Sequence, residues 1–190
     1  AHRHGVPLIF DEIFTGFGRL GGMFAATVSG VTPDIMTLGK ALTGDVTPLA
    51  ATIASRRIYE AFHSDDATKA LMHGPTYMGH ALGCAAANAS LDLFEQEPRL
   101  EQVARIEQDL KSALEPLRNA PQVADVRIRG SVGAVELREA FDVQAMRRRF
   151  IDQGVFIRPI GKAIYLAPSY TIDAADLASL TAAIVRTAAG

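Results

Sequence analysis

Short apolar runs separated by polar turns predict that the first half of the chain alternates strands with helices. Strands are predicted over 6–10 (VPLIF), 35–38 (IMTL) and 48–55 (PLAATIAS), and a short helix over 56–62. After a polar loop and a turn-rich stretch, small residues predict a further helix that ends near Glu95. Strands and helices at this spacing are typical of a parallel sheet.

The second half of the chain has a different order of elements. Apolar residues at positions 100, 103, 106, 110, 114 and 117 have the period of one amphipathic helix over 99–119. The patterns after it predict two alternating strands, a helix that ends on Gly154, two more strands (VFIRP and AIYLAP) and a last helix with Asp173 as its N-cap. The predicted fold class is therefore α/β, in two units, 1–98 and 99–190.

Composition and charge argue against several classes of function. The formal net charge of −2 and the pI near 6.2 give no electrostatic basis for binding nucleic acid or an anionic membrane. The basic run at 147–149 is predicted to form the solvated side of a helix. No apolar run approaches the roughly 20 residues of a membrane span.

The single cysteine, Cys84, rules out an internal disulfide and any multi-cysteine metal site, and no metal site is expected. It lies in a small-residue helical stretch, which predicts a packed core thiol. A lone reduced cysteine suits the cytosol, so a cytoplasmic location is expected.

The run GFGRLG (16–21) matches the glycine pattern of a dinucleotide-binding loop, and Asp34 lies roughly where an acid would bind the ribose. The context disagrees with that function, because five residues separate the run from the preceding strand and Gly21–Gly22 is a poor start for a helix. The stretch that leads to Gly39–Lys40 is no phosphate loop either, since it lacks the first glycine and the Ser or Thr of that motif. A dinucleotide-binding module stays as the alternative from another functional class.

Lys40 follows a glycine at the end of the predicted strand 35–38, in a chain where lysines are four of the 19 basic residues. A lysine amine forms a Schiff base with an aldehyde cofactor when burial and neighbouring charge allow it to lose its proton. Pyridoxal phosphate also needs a carboxylate beside its pyridine nitrogen. Asp11 ends the preceding predicted strand, so both side chains would emerge at the carboxyl edge of a parallel sheet, where α/β folds bind ligands.

The spacing of Asp11 and Lys40 does not by itself settle their function, because a helix-capping aspartate and a surface lysine would have the same spacing. Among the other lysines, Lys69 lies in a polar loop and Lys111 on the polar side of the amphipathic helix. Lys162 follows a glycine and is a weaker rival. Lys40 is thus the best candidate for the Schiff base.

Four stretches resemble the class III pyridoxal-phosphate-dependent aminotransferases: LIFDEIFTGFGR, PDIMTLGKALTG, MHGPTYMGHALGCAAANASL and GVFIRPIGKAIYLAPSY. The resemblance covers nearly all 190 residues, but only the carboxyl-terminal part of that family's chain. The first two are common across that family, and the last two are typical of a narrower group within it. The resemblance implies a transferase of fold-type I, with part of the large cofactor-binding domain over 1–98 and the small carboxyl-terminal α/β domain over 99–190. It also implies transfer of an amino group from S-adenosylmethionine to 8-amino-7-oxononanoate in biotin synthesis. Another class III ω-amino acid aminotransferase is the nearest alternative.

The resemblance implies roles for individual cofactor-binding residues. Lys40 would hold pyridoxal phosphate covalently and move the substrate proton, Asp11 would pair with the pyridine nitrogen, and Ile13 would pack on the ring. The cofactor phosphate of the other subunit would contact a turn made of Gly74, Pro75 and Thr76. A homodimer with shared active sites is therefore implied, although Thr76 could instead cap the helix that follows.

The resemblance also implies substrate-binding residues. Arg158 would hold the carboxylate of the oxononanoate, a role that suits a bidentate guanidinium. The substrate pocket would also be lined by Tyr165, Arg19 and Gly74. Each has a structural alternative: Arg158 could form a surface ion pair, Tyr165 could be half-buried in a sheet, and Arg19 could be structural.

One position departs from the family pattern, because the family has T-G-G after the lysine and this chain has Asp45 at the second glycine. If that backbone needs a positive φ, aspartate adopts it at some cost. The chain begins without Met and is expected to be a fragment, and the resemblance places the phosphate-cradling loop and the ring-stacking aromatic residue before residue 1. We therefore expect little or no transaminase activity from these 190 residues alone, and a non-catalytic α/β piece that only dimerises is a third alternative.

Overall fold

The computed structural model of the protein describes residues 1–188, and the chain divides into two units, the first ending at Pro98 and the second beginning at Arg99. The sheet of the first unit has three strands in the order β1 (Ile9–Asp11), β2 (Ile35–Leu38) and β3 (Ala51–Ala54). β1 and β2 are parallel, whereas β2 and β3 are antiparallel. The third strand thus departs from the parallel sheet that the spacing predicted, and the sheet is mixed.

Three helices complete the first unit: α1 (Ala25–Ser29), α2 (Arg56–Glu60) and α3 (Ala81–Gln96). Short 3₁₀ turns are at His2–His4, Lys40–Leu42 and Ala67–Lys69. α2 and α3 agree with the predicted helices. β1 begins later than predicted, because Pro7 has no N–H and the N–H of Leu8 donates to the Asp34 carboxylate instead of to a strand.

The first unit has a small core, which consists of Phe17, Leu38, Leu42 and Ala87. α3 faces this core with Gly83 and Ala87, which lie one turn apart. Cys84 is exposed, so the prediction of a packed core thiol is wrong. The helix buries a single stripe, and Cys84 lies about 100° from Gly83 around the helix axis.

The second unit combines three helices with an antiparallel sheet of three strands. The helices are α4 (Arg99–Leu114), α5 (Val143–Asp152) and α6 (Ala174–Ala188). The sheet has the order β4 (Val123–Arg129), β5 (Val132–Leu137) and β6 (Ala163–Leu166). The helix predicted over 99–119 ends at Leu114 and continues as a 3₁₀ turn, because Pro116 has no N–H and its ring crowds the carbonyl four residues earlier.

The prediction of a strand over 155–159 (VFIRP) is wrong. Within residues 1–188, no ladder includes this segment, and the nearest pairing is an isolated bridge between Ile160 and Ala163. Ile157 and Pro159 are buried while Phe156 is exposed. The burial therefore alternates as in a strand, but Pro159 has no N–H to donate to a ladder.

α4 buries one side completely: no side-chain surface is exposed at Val103, Ile106, Leu110 and Leu114. The helix lies directly on β5, since a Cβ added to Gly133 would be 3.2 Å from Leu114 Cδ1 and 3.4 Å from Leu110 Cδ1. On the exposed side, Lys111 pairs with Glu107 at 2.6 Å. The period found in the sequence thus corresponds to the contact between α4 and the sheet.

The surface of the second unit is charged on α5, where Arg148 and Arg149 are exposed as predicted. Arg147 is half-buried, so the predicted solvated side does not include the whole basic run. No helix in the part of the chain that the structure describes is long and apolar enough to cross a membrane.

Asp142 caps α5 with its carboxylate, which accepts hydrogen bonds from the N–H groups of Gln144 and Ala145 at 2.8 and 3.2 Å. These backbone donors, Ala145 first, hold the pKa of Asp142 below its usual value. We expect Asp142→Ala to lower the midpoint of thermal unfolding of the complete protein at neutral pH. A carboxylate with a lowered folded-state pKa stabilises the protein above its unfolded-state pKa, and this contribution is lost as the pH falls through the folded-state value.

The difference in midpoint between the wild type and Asp142→Ala should therefore shrink in acid, below about pH 4. Asp152→Ala is a matched control, because Asp152 ends the same helix, where a negative charge is unfavourable to the helix dipole. We expect this control to leave the midpoint unchanged or slightly raised. A difference for Asp142→Ala that stays constant down to pH values well below the usual range of aspartate would contradict the role of the charge.

Candidate active site

Two side chains named from the sequence lie at one edge of the sheet in the first unit. Asp11 is the last residue of β1, and Lys40 follows the end of β2 by two residues. Because β1 and β2 are parallel, with Asp11 opposite Thr37, both strands end at the same edge. The structure thus brings the carboxylate and the amine to the edge where α/β sheets bind ligands.

The Asp11 carboxylate is held through one of its two oxygens. Oδ1 accepts hydrogen bonds from the N–H of Ile13 at 3.0 Å and from the hydroxyl of Thr37 at 3.3 Å. Among residues 1–188, no donor contacts Oδ2, and the side chain is exposed. The second oxygen is therefore free to accept a hydrogen bond from a ligand.

Lys40 has a left-handed backbone, with a φ of 47°, which is uncommon for a residue with a side chain. It opens a 3₁₀ turn in which the N–H of Leu42 donates to the carbonyl of Gly39. The hydroxyl of Ser90 on α3 donates to the carbonyl of Ala41 at 2.9 Å and ties this turn to the helix. Such backbone strain persists where the surrounding structure holds it and is common at functional sites.

Phe14 is close to both cations of the site. The Lys40 Nζ lies 5.8 Å and the Arg19 Cζ lies 6.0 Å from the centre of its ring. At such distances a cation is attracted to the face of the ring. Phe14 was not among the residues named from the sequence, where its one signal is an aromatic residue shortly after Asp11. Arg19, named for the substrate site, is thereby placed near the same ring as Lys40.

Ile13 packs beside the residue that precedes Lys40. A Cβ added to Gly39 would lie 3.4 Å from Ile13 Cγ2, which is ordinary contact. Gly39 is buried and Ile13 is half-buried. Ile13 therefore packs against the lysine turn, and its contact with a cofactor ring stays a prediction.

Glu12, next to Asp11, is fully buried. Its structural role was not predicted from the sequence. Its carboxylate accepts hydrogen bonds from the N–H groups of Ala25 and Ala26, at 2.9 and 2.8 Å, and from the hydroxyl of Thr15 at 2.7 Å. These donors include the first N–H groups of α1, which have no partner within the helix. The helix-capping function that one alternative assigned to Asp11 thus belongs to Glu12.

The run GFGRLG forms turns and does not open a helix. The N–H of Gly21 donates to the carbonyl of Gly18, and α1 begins three residues after Gly22. Asp34 lies at the amino end of β2, where its carboxylate accepts hydrogen bonds from the N–H of Leu8 and from Arg57. A ribose-binding acid would be needed at the opposite edge of the sheet, so this geometry does not fit a dinucleotide site.

Gly74, Pro75 and Thr76 lie in an exposed stretch without regular structure before α3. The cap of α3 is His80, whose Nδ1 accepts a hydrogen bond from the N–H of Gly83 at 3.1 Å. Thr76 is therefore not the helix cap, which removes the structural alternative for that residue. Its contact with a cofactor phosphate stays a prediction.

Arg158 and Tyr165 belong to the second unit. Arg158 is exposed in the segment between α5 and β6. This segment was predicted to be a strand, but it is not one. Tyr165 lies on β6 between the buried Ile164 and Leu166, and 36% of its surface is exposed. It thus lies in a sheet, as the structural alternative required, but it is exposed and not half-buried.

Asp45 adopts a positive φ of 62°, directly after Gly44 with a φ of 61°. The family glycine is therefore replaced at a position where the backbone is left-handed. Aspartate tolerates this conformation better than most residues but with less freedom than glycine.

Comparison with known proteins places this geometry in a family. Residues 1–188 match the family described as aminotransferase class-III. An adenosylmethionine-8-amino-7-oxononanoate aminotransferase of Buchnera aphidicola subsp. Acyrthosiphon pisum (strain APS) is 44% identical over 180 residues, 95% of this chain and 42% of that protein. The protein with the same name from Mycobacterium leprae (strain TN) is 42% identical over 186 residues, 98% of this chain and 42% of its own length. The chain thus spans about two fifths of the length of these curated relatives.

Solved structures of transaminases share the fold. The ω-transaminase of Pseudomonas jessenii, solved in complex with PMP, has a TM-score of 0.88 and 30% identity, covering 97% of this chain and 44% of that one. An amine transaminase from an uncultivated Pseudomonas species, in a PLP-bound form, has a TM-score of 0.86 and 37% identity, covering 96% of this chain and 44% of that one. The predicted α/β fold of fold-type I is confirmed by this likeness.

Proposed function

Because the chain belongs to the class III aminotransferase family, we propose that the protein is a pyridoxal-phosphate-dependent aminotransferase whose active site includes Lys40 and Asp11. The single observation that carries the proposal is the placement of these two side chains at the carboxyl ends of adjacent parallel strands. The transaminases solved with PMP or PLP support pyridoxal phosphate as the cofactor.

The residues at this edge fit that cofactor. Asp11 Oδ2 has no hydrogen-bond donor among the described residues and can accept one from a protonated pyridine nitrogen. Lys40 Nζ, an exposed amine near the Phe14 ring, is accessible for attachment to an aldehyde. Because Gly39 has no side chain, residue 39 does not take up the space next to Ile13. The pair of groups that the cofactor chemistry requires is therefore present on one sheet edge.

The reaction assigns a task to each of these side chains. Pyridoxal phosphate, when bound, supplies a ring that withdraws electrons from the carbon that loses its proton. Lys40 Nζ takes the proton from that substrate carbon and later returns one, since a positioned amine acts as a general base and acid. Asp11 would accept a hydrogen bond from the ring nitrogen through Oδ2 and so hold a proton there. Arg19, whose guanidinium lies near the same Phe14 ring, would line the substrate pocket.

For the substrates, we propose S-adenosylmethionine as amino donor and 8-amino-7-oxononanoate as acceptor, in biotin synthesis. Support comes from the names of the curated relatives that are 41–45% identical to this chain. Arg158 would bind the acceptor carboxylate, and Tyr165 and Gly74 would line the substrate pocket. The exposure of Arg158 and of part of Tyr165 leaves both able to contact a ligand.

We propose a homodimer in which Pro75 and Thr76 contact the cofactor phosphate of the other subunit. The exposed apolar residues around this turn support a second copy as its partner, because large apolar side chains are rarely left in water together. They are Leu71, Met72, Tyr77, Met78 and Leu82. A cytoplasmic location stays a prediction from the sequence.

A second candidate is an amine or ω-amino acid aminotransferase of the same family. The observation that favours it is the likeness to the transaminases of Pseudomonas jessenii and Thermomicrobium roseum, at 30% and 32% identity. The higher identity to the biotin-pathway proteins makes the first candidate the stronger one.

The two candidates predict different donors for the complete protein. We expect turnover of 8-amino-7-oxononanoate with S-adenosylmethionine to exceed turnover of a ketoacid acceptor with an ω-amino acid donor, measured by product mass. Arg158→Ala should weaken the binding of the oxononanoate and raise its KM about tenfold or more, because a charged hydrogen-bonded pair is lost. Arg148→Ala, an exposed arginine on α5, is the matched control and should leave KM unchanged. Turnover with the ω-amino acid alone would establish the second candidate instead.

A further inference from the structure

Thr37 touches the Asp11 turn through two different atoms. In the parallel pairing of β1 and β2, Thr37 lies opposite Asp11. Its carbonyl accepts a hydrogen bond from the N–H of Glu12 at 2.9 Å, which extends the ladder beyond β1. Its hydroxyl donates to Asp11 Oδ1 at 3.3 Å. One residue of β2 is therefore connected both to the backbone and to the carboxylate at the end of β1.

The two donors on Asp11 act on the same oxygen. The N–H of Ile13 follows Asp11 by two residues and limits how far the carboxylate can turn away from the chain. The Thr37 hydroxyl reaches Oδ1 from the neighbouring strand. Two donors from two directions fix the plane of a carboxylate better than one, and both leave Oδ2 available.

We propose that Thr37 is a positioning residue for Asp11, whose hydroxyl orients the carboxylate so that Oδ2 meets the ring nitrogen of the cofactor. The inference rests on the proposed function and concerns how that site is oriented. The distance of 3.3 Å is long for a hydroxyl donor, so the contact directs the carboxylate more than it binds it. Thr37 does not touch the reacting atoms in this assignment and acts only through Asp11.

The strand context allows a clean substitution. Valine has almost the shape of threonine without the hydroxyl and favours strands, so Thr37→Val should preserve the β1–β2 ladder. The Thr37 carbonyl, which bonds the Glu12 N–H, belongs to the backbone and stays in the variant. Thr52 on β3 lies opposite Thr37 in the antiparallel register and is exposed, which makes Thr52→Val a control in the same sheet.

The test loads the complete protein with pyridoxal phosphate that carries ¹⁵N in its ring and records the nitrogen signal, together with kcat and KM. In Thr37→Val we expect the signal to move toward that of the unprotonated ring and kcat to fall about three- to tenfold, the effect of one lost hydrogen bond to a charge that is partly exposed. KM for the donor should stay near the wild-type value. Thr37→Ser keeps the hydroxyl and should restore most of kcat and the wild-type signal.

An unchanged nitrogen signal in Thr37→Val would overturn the inference, and so would a serine variant as impaired as the valine variant. A loss of the same size in Thr52→Val would show a general effect on the sheet and would also overturn it. If valine prevents folding, Thr37→Ser and Thr37→Ala provide the same comparison with and without a hydroxyl. A wild-type protein that binds no pyridoxal phosphate at Lys40 would instead refute the proposed function, which separates the two failures.

Discussion

Lys40→Ala is expected to lower the turnover of the complete protein by more than about 10³-fold, because the same amine holds the cofactor and moves the substrate proton, and proton transfer alone accounts for factors of 10²–10⁴. Folding should be little affected, since the Lys40 side chain is exposed and its Nζ lies near the Phe14 ring. Replacing a left-handed lysine with alanine adds no bulk to the turn. The measurement is the initial rate of amino transfer with pyridoxal phosphate in excess.

Two other lysines serve as controls for Lys40→Ala. Lys69 is exposed in a 3₁₀ turn, so Lys69→Ala should keep the wild-type rate. Lys162 was the weaker rival in the sequence, and its Nζ donates to the carbonyl of Arg138 at 2.6 Å, so it already has a structural partner. Borohydride reduction followed by peptide mass mapping should place the cofactor on Lys40 in the wild type. Label on Lys162, or full turnover without Lys40, would refute the assignment.

Leu110→Ala is expected to have the largest effect on stability, a loss of about 2–5 kcal/mol in the free energy of unfolding. Leu110 has no exposed surface and lies in the layer where α4 meets the sheet, close to Gly133. Backbone on one side and packed side chains on the other leave little room for the structure to collapse into the space. The residual cavity therefore adds to the lost burial.

The control for Leu110→Ala is on the same helix. Leu100 is 42% exposed, so Leu100→Ala removes the same atoms with less burial and should cost under about 1.5 kcal/mol. Urea unfolding of the complete protein, followed by a probe in the second unit, gives both values. Equal losses in the two variants would mean that α4 does not pack on the sheet as described.

The parts of the fold that could be predicted are those where local patterns and burial agree. The periodic apolar residues of α4 predict the buried stripe, and Asp173 lies at the start of α6, where its carboxylate accepts a hydrogen bond from the N–H of Ala175. The prediction of a strand over 155–159 was wrong, because a segment whose burial alternates with a period of two need not be hydrogen-bonded to a neighbouring strand. The prediction that Cys84 is packed in the core was wrong, because a small residue on a helix is buried only if its side of the helix faces the core.

The candidate site divides in the same way. Lys40 and Asp11 could be named because the chemistry of the cofactor demands an amine and a carboxylate at the ends of neighbouring strands. Phe14, Thr37 and Glu12 could not be named, because threonine, phenylalanine and glutamate have many ordinary uses in a strand or a turn. Their functions depend on distances across the sheet, which no local pattern contains.

By itself, the sequence determined the residue types and their order along the chain: a carboxylate where β1 ends, an amine shortly after β2, and the family to which the chain belongs. Only the tertiary structure decided that β1 and β2 are parallel with Asp11 opposite Thr37, that Glu12 is buried against the first residues of α1, and that Lys40 has a left-handed backbone. The reason is physical. Helix periods and cap residues act between near neighbours, whereas strand pairing and the direction of a side chain depend on contacts between residues that are far apart in the chain.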